Sequence, residues 1–202
     1  MSEKRDATRE KILLVARSLF GRFGPRKTTV DEIAEGAGVG KGTIYYHFKA
    51  KDEIFLEVVQ REAEELSLRL KKAISSCTTP QGQLQAFFTA RLASVREFLN
   101  LSWLNQGFEM IANSLIEKQR DLLAQMEARL MEDILHQGRN QGVFAVKDIK
   151  ATALHLLTFL KGIEFSWPES LSLKDMEARV ENLLQMVLQG LEARPQEESI
   201  EG

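Results

Sequence analysis

The stretch TTVDEIAEGAGVGKGTIYYHF, Thr28–Phe48, decides the fold. Its start, Thr29-Val30-Asp31-Glu32, has the form of a capping box, with a hydroxyl at the N-cap and a carboxylate three positions on. A helix therefore begins at Val30, with Val30, Ile33, Ala34 and Ala37 as its apolar face, and Gly38 breaks it after barely two turns. So short a helix is marginal alone and must be held by its neighbours. After Gly38-Val39-Gly40 a second short pattern runs from Lys41 to Phe48. Val39, Ile44 and Phe48 are suited to point inward, which leaves Lys41, Thr43, Tyr46, His47 and Lys49 for the outside; Tyr45 can serve either side. Two short helices about a glycine turn, packed on a longer one, are the geometry that offers the second helix to a DNA major groove. Gly42, lacking a side chain, lets backbone come close to a phosphate.

Upstream, Ile12, Val15, Ala16, Leu19, Phe20 and Phe23 recur at helical spacing, with Arg9, Lys11, Arg17 and Arg22 largely off that stripe. Gly24-Pro25 is expected to stop this first helix, because the residue before a proline avoids the helical region. Charge is unevenly distributed: residues 1–51 carry 11 Lys/Arg against 6 Asp/Glu (+5), and the remainder 16 against 23 (−7), giving the net −2. Basic groups gathered at one end attract phosphate, while the acidic bulk opposes unspecific collapse onto it.

Thr28-Thr29-Val30-Asp31-Glu32-Ile33-Ala34, Ala37-Gly38-Val39, Gly42-Thr43-Ile44-Tyr45-Tyr46-His47-Phe48 and Lys51-Asp52-Glu53-Ile54-Phe55 together resemble the DNA-binding signature of the tetracycline-repressor-like (TetR/AcrR) family. The match is gap-free and covers about the first quarter of the chain. Pro25 stands where that family usually has an aromatic residue, and Gly40 where a serine or alanine is common. The resemblance implies an all-α fold, with a three-helix helix-turn-helix domain over 1–51 and a larger helical effector-binding and dimerisation domain over 52–194. The acidic tail 195–202 is expected to be disordered. It also nominates Thr28, Thr29, Lys41, Thr43, Tyr45, Tyr46, His47 and Lys51 as the operator surface. By chemistry, Thr29, Tyr46, His47 and Lys51 suit phosphate, and Lys41, Thr43 and Tyr45 suit base edges and thymine methyl groups.

Beyond Asp52 a longer helix carries Ile54, Phe55, Val58, Val59, Leu66 and Leu70 on one side. Further helical patterns follow over about 84–95, 99–116, 117–138, 149–167 and 173–191, with Asp148 as a cap of the penultimate one. The last two present more apolar surface than one packing partner needs. Two subunits can bury it as a four-helix interface, in line with the family's dimerisation, through Leu156, Leu160, Val180, Leu184 and Val187. A monomeric core explains the same pattern. The resemblance further implies a pocket for a small, hydrophobic effector that releases DNA, for which Trp103, Phe108, Met110, His155, Phe159, Glu164 and Trp167 are the candidate lining.

The expected partners are thus double-stranded operator DNA, a small molecule and a second copy of the chain, with no cofactor and no metal. No phosphate loop, dinucleotide fingerprint, paired-histidine zinc motif or nucleophile elbow is present to support catalysis. The competing reading is a helical interaction or structural module without specific DNA binding. It accounts for the helices but not for the basic N-terminal bias joined to Lys41 through Lys51. A lone cysteine, Cys77, and the lack of a signal peptide or membrane-length apolar run place the chain in the cytoplasm.

Overall fold

The computed structural model describes residues 2–95, 97–101, 114–165 and 173–192. The fold is all-α. Its described helices are α1 (Ser2–Lys27), α2 (Val30–Ala37), α3 (Lys41–His47), α4 (Lys51–Ser75), α5 (Pro80–Val95), α6 (Ser114–Asn140), α7 (Ile149–Phe165) and α8 (Leu173–Leu191). None of them is long and apolar enough to cross a membrane. The tail 195–202 lies outside the described residues. The chain divides into two compact units, one of residues 1–68 and 94–124, the other of 69–93 and 125–202.

In the first unit α1 buries Ile12, Leu13, Ala16 and Phe20, and the Phe20 ring meets Phe55 of α4 edge-on at 5.3 Å. The helix is interrupted at Gly24, whose φ 81° and ψ 155° fall in a region that essentially only glycine occupies. Phe23, placed on the buried stripe by its spacing, is 47% exposed. It sits on the last turn before that break, and the Arg22 guanidinium lies over its ring instead.

Charged side chains bind α1 to α4. Arg9 pairs with Glu57, Arg61 reaches both Glu10 and Glu57, and Arg17 bridges Glu62 at 3.1 Å and Glu65 at 3.0 Å. Glu62 is fully buried and accepts hydrogen bonds from Asn100 Nδ2 (2.7 Å) and the Leu101 amide (3.1 Å) as well as from Arg17 Nε. Burial pushes its carboxyl above the usual carboxylate range, and the Asn100, Leu101 and Arg17 donors only partly offset this.

In the second unit Leu84, Phe87, Phe88 and Leu92 form the buried side of α5, and Met131, Ile134 and Leu135 are buried along α6. A buried ion pair joins Arg91 to Glu127, with Lys161 Nζ 3.8 Å from the other carboxylate oxygen. The Phe144 ring lies flush against Gly138, where α6 winds down, and an antiparallel bridge pairs Phe144 with Glu192 beyond α8. Asp148 caps α7 as expected, its Oδ1 accepting from the Ala151 amide at 3.0 Å.

Candidate nucleic-acid interface

The α2–α3 surface is built from the caps inward. Thr29 Oγ1 accepts from the Glu32 amide at 3.2 Å, and Glu32 Oε2 accepts from the Thr29 amide at 2.7 Å, completing both halves of the capping box. The Thr29 amide, with the Thr29 hydroxyl donating to the same oxygen at 2.8 Å, holds the Glu32 carboxyl below its ordinary range. At the other end Gly38 adopts a left-handed conformation (φ 61°), with its amide donating to Glu35 O and that of Val39 to Ala34 O. That turn delivers the chain into α3, where Ile44 is buried; Phe48, just past its end, is buried too.

Of the eight nominated residues, Lys41, Tyr45 and Tyr46 are exposed on α3, with Thr43 and His47 half-buried beside them, and Thr29 is exposed at the cap of α2. Tyr45 is 50% exposed, so the inward alternative for it is not realised. Burying Ile44 and Phe48 turns the intervening tyrosines outward on a helix. Thr28 departs from the expected set. It is 1% exposed and its hydroxyl donates to Gly24 O (2.9 Å) and Leu19 O (3.3 Å), so its role is to fasten the end of α1. Lys51 is half-buried, with Nζ donating to Thr28 O at 2.8 Å.

Two neighbours that the sequence does not single out belong to this surface. Arg5 places its guanidinium 5.0 Å from the Tyr46 ring centroid, a cation–π contact that orients both groups. Asp31, in the first turn of α2, accepts from Lys41 Nζ at 2.9 Å. Burial, together with the nearby Arg5 and Arg9 guanidiniums, holds the His47 imidazole below its ordinary value and so favours its neutral form.

Comparison with known proteins agrees with this geometry. A family model described as bacterial regulatory proteins, tetR family, matches residues 12–58, from the core of α1 into α4. The transcriptional repressor KstR2 of Mycobacterium tuberculosis is 28% identical over 144 residues, covering 69% of this chain and 70% of that protein. The N-terminal part of the chain is a TetR-family segment. Among solved structures, a transcriptional regulator from Saccharomonospora viridis in complex with choline superposes with a TM-score of 0.80 at 20% identity, covering 96% of this chain and all of that one. FadR of Bacillus subtilis in complex with stearoyl-CoA gives 0.75 at 19% identity, covering 90% and 98%.

Of the residues nominated for the effector pocket and dimer, only some fall among the described residues. Trp103, Phe108, Met110 and Trp167 lie outside the described residues, as do the side chains of Glu164 and Val180. His155 is exposed and Phe159 is 39% exposed, so in the single chain both point away from an interior lining. Leu156, Leu160 and Leu184 are buried in the chain's own core, and Val187 is half-buried. A residue already covered by its own subunit has little apolar area left for a partner. Among the described side chains of these helices, the exposed large apolar ones are Leu154 and Phe159 of α7 and Met186 of α8. Among the described residues, no cluster of His, Cys, Asp or Glu has the arrangement of a metal site.

Proposed function

We propose that this chain is a homodimeric transcriptional repressor that occupies a palindromic operator and is released by a small, hydrophobic effector. The observation that carries this reading is the outward side of α3, where a single buried residue, Ile44, anchors a helix whose lysine and two tyrosines are free of the core. Lys41, Thr43 and Tyr45 read base edges; Thr29, Tyr46, His47 and Lys51, joined by Arg5, hold the phosphates and set the register. Residues 1–51 then serve the operator, and 52–194 serve effector binding and pairing of subunits.

Dimerisation follows from the same logic, since two readers about a two-fold axis match an inverted repeat. Leu154, Thr158 and Phe159 are exposed along one side of α7, and with Met186 of α8 they supply the apolar contact between subunits. Repression accords with the KstR2 relative, which is a repressor. Effector binding draws on the choline and stearoyl-CoA complexes of the two structural neighbours.

The test is binding of the purified protein to duplex from its own upstream region, against random duplex of equal length, over a range of salt. Retention of the upstream duplex over competitor, with log affinity falling steeply against log salt, is the expected result. Equal binding of both duplexes at every salt concentration would refute specific operator recognition.

A further inference from the structure

We propose that Asp31 determines specificity by occupying Lys41 in the free protein, so that α3 offers its ammonium to a cognate base and withholds it from phosphate in general. This rests on the operator-reading function proposed above. The carboxylate and ammonium lie 2.9 Å apart, and both side chains are open to solvent, at 68% and 52% exposure. They come from different helices, ten positions apart: Asp31 from the first turn of α2, Lys41 the first residue of α3. Lys41 is the sole lysine or arginine of α3, so Asp31 neutralises that helix's fixed positive charge.

A solvent-exposed pair of this kind contributes little to folding, and the structural cost of losing it is small. Its effect on docking is larger. Affinity for arbitrary duplex is governed by how many phosphates the protein neutralises, and each cation so used releases counterions. Asp31 removes one cation from that count and sets a negative charge among the phosphates. Against a cognate guanine, whose O6 and N7 accept from a lysine, Lys41 gains a replacement for the bond to Asp31. Against a random step it gains no such bond, and Asp31 is left unpaired beside the backbone. The Asp31 carboxylate, by hydrogen bond and charge, also raises the Lys41 ammonium above its ordinary value, which supplies a readout independent of DNA.

Four proteins separate the possibilities: wild type, Asp31→Asn, Lys41→Ala and the double variant, each titrated with the upstream duplex and with random duplex at several salt concentrations. Asp31→Asn is expected to bind random duplex about fivefold tighter while changing upstream affinity less than about twofold, and to steepen the random-duplex salt slope by roughly 0.9. In the Lys41→Ala background the gain on random duplex should largely vanish. Equal tightening on both duplexes, or persistence of the gain without Lys41, would reduce Asp31 to a general surface charge and overturn the proposal. The pair itself is read in the free protein by carbon NMR of reductively methylated lysines, with Lys41→Ala assigning the signal. The Lys41 titration should move to lower pH in Asp31→Asn, and an unmoved titration overturns the pair. Should wild type fail to prefer the upstream duplex, operator reading and this role fall together, whereas a failure confined to Asp31→Asn leaves operator reading intact.

Discussion

Replacing Gly138 by alanine is a severe test of the packing in the second unit. A methyl at that position would lie 2.0 Å from Phe144 Cδ2, 2.6 Å from Cε2 and 2.8 Å from Cγ. Carbon atoms in contact need about 3.5–4.0 Å, so no rotation of the ring in place relieves the overlap. Phe144, only 2% exposed, must leave its site. Exposing a buried phenylalanine costs roughly 3 kcal/mol, and the void left behind adds to that. Alanine returns about 1 kcal/mol through its better helix propensity. The net expectation is a loss of roughly 2–3 kcal/mol. Displacing Phe144 also disturbs the amides of Val143 and Phe144, which donate to Gly138 O at 2.9 and 3.1 Å, and the bond from the Ala145 amide to Leu191 O at 2.7 Å.

Urea unfolding followed by circular dichroism, at one fixed protein concentration, measures the change. The decisive comparison repeats Gly138→Ala in a Phe144→Ala background. With the ring gone the clash is gone, and the same substitution should become stabilising by about 1 kcal/mol. A loss of equal size in both backgrounds would show that the ring contact is not the cause.

Three further outcomes follow from the described contacts. Burial raises the Glu62 carboxyl, so the folded state binds that proton more tightly than the unfolded chain, and this group lowers stability as pH climbs from 4.5. Glu62→Gln should therefore gain on wild type in unfolding free energy between about pH 4 and pH 7, and a gap that closes or stays constant contradicts this. His47, held below its ordinary value by burial and then by Arg5 and Arg9, should titrate in the free protein with a midpoint under the 6.5 of an unperturbed imidazole in proton NMR. Its contribution to stability is present above pH 6.5 and is lost as pH falls below it; a midpoint at or above 6.5 sinks the argument. At Gly36 an added methyl would meet Val15 Cγ1 at 2.7 Å, pushing α2 off α1. Gly36→Ala should leave helix content intact while costing about 1 kcal/mol of stability and about tenfold in affinity for the upstream duplex, and unchanged affinity would show that α2 absorbs the contact without moving α3.

What can be read from one dimension is chemistry that acts over a few residues. The Thr29–Glu32 box, the Gly38 turn and the Asp148 cap each complete themselves within five positions, and each forms as its spacing indicates. The family signature extends this to α3, placing Ile44 inside and Lys41 and Tyr46 outside. Thr28 shows where that information stops, because a threonine beside a capping threonine carries no mark of which way its hydroxyl turns. Here it turns inward, to the carbonyls of Gly24 and Leu19. Arg17 and Glu62, 45 positions apart, and Arg91 and Glu127, 36 apart, lie beyond any local pattern. Leu156, Leu160 and Leu184 show a different limit. Their spacing reveals that a stripe is covered, but an apolar stripe looks the same whether its own chain or a second copy covers it.

The sparse anchoring of α3 has a practical consequence for anyone wishing to retarget the molecule. Of its seven residues only Ile44 is fully enclosed, and Lys41, Tyr45 and Tyr46 stand in the open, so these positions form an alphabet that can be rewritten while the scaffold beneath stays the same. Libraries randomised at Lys41, Tyr45 and Tyr46 should yield variants that fold like the parent yet answer to different promoters, since surface substitutions of this kind usually shift stability by no more than about 0.5 kcal/mol.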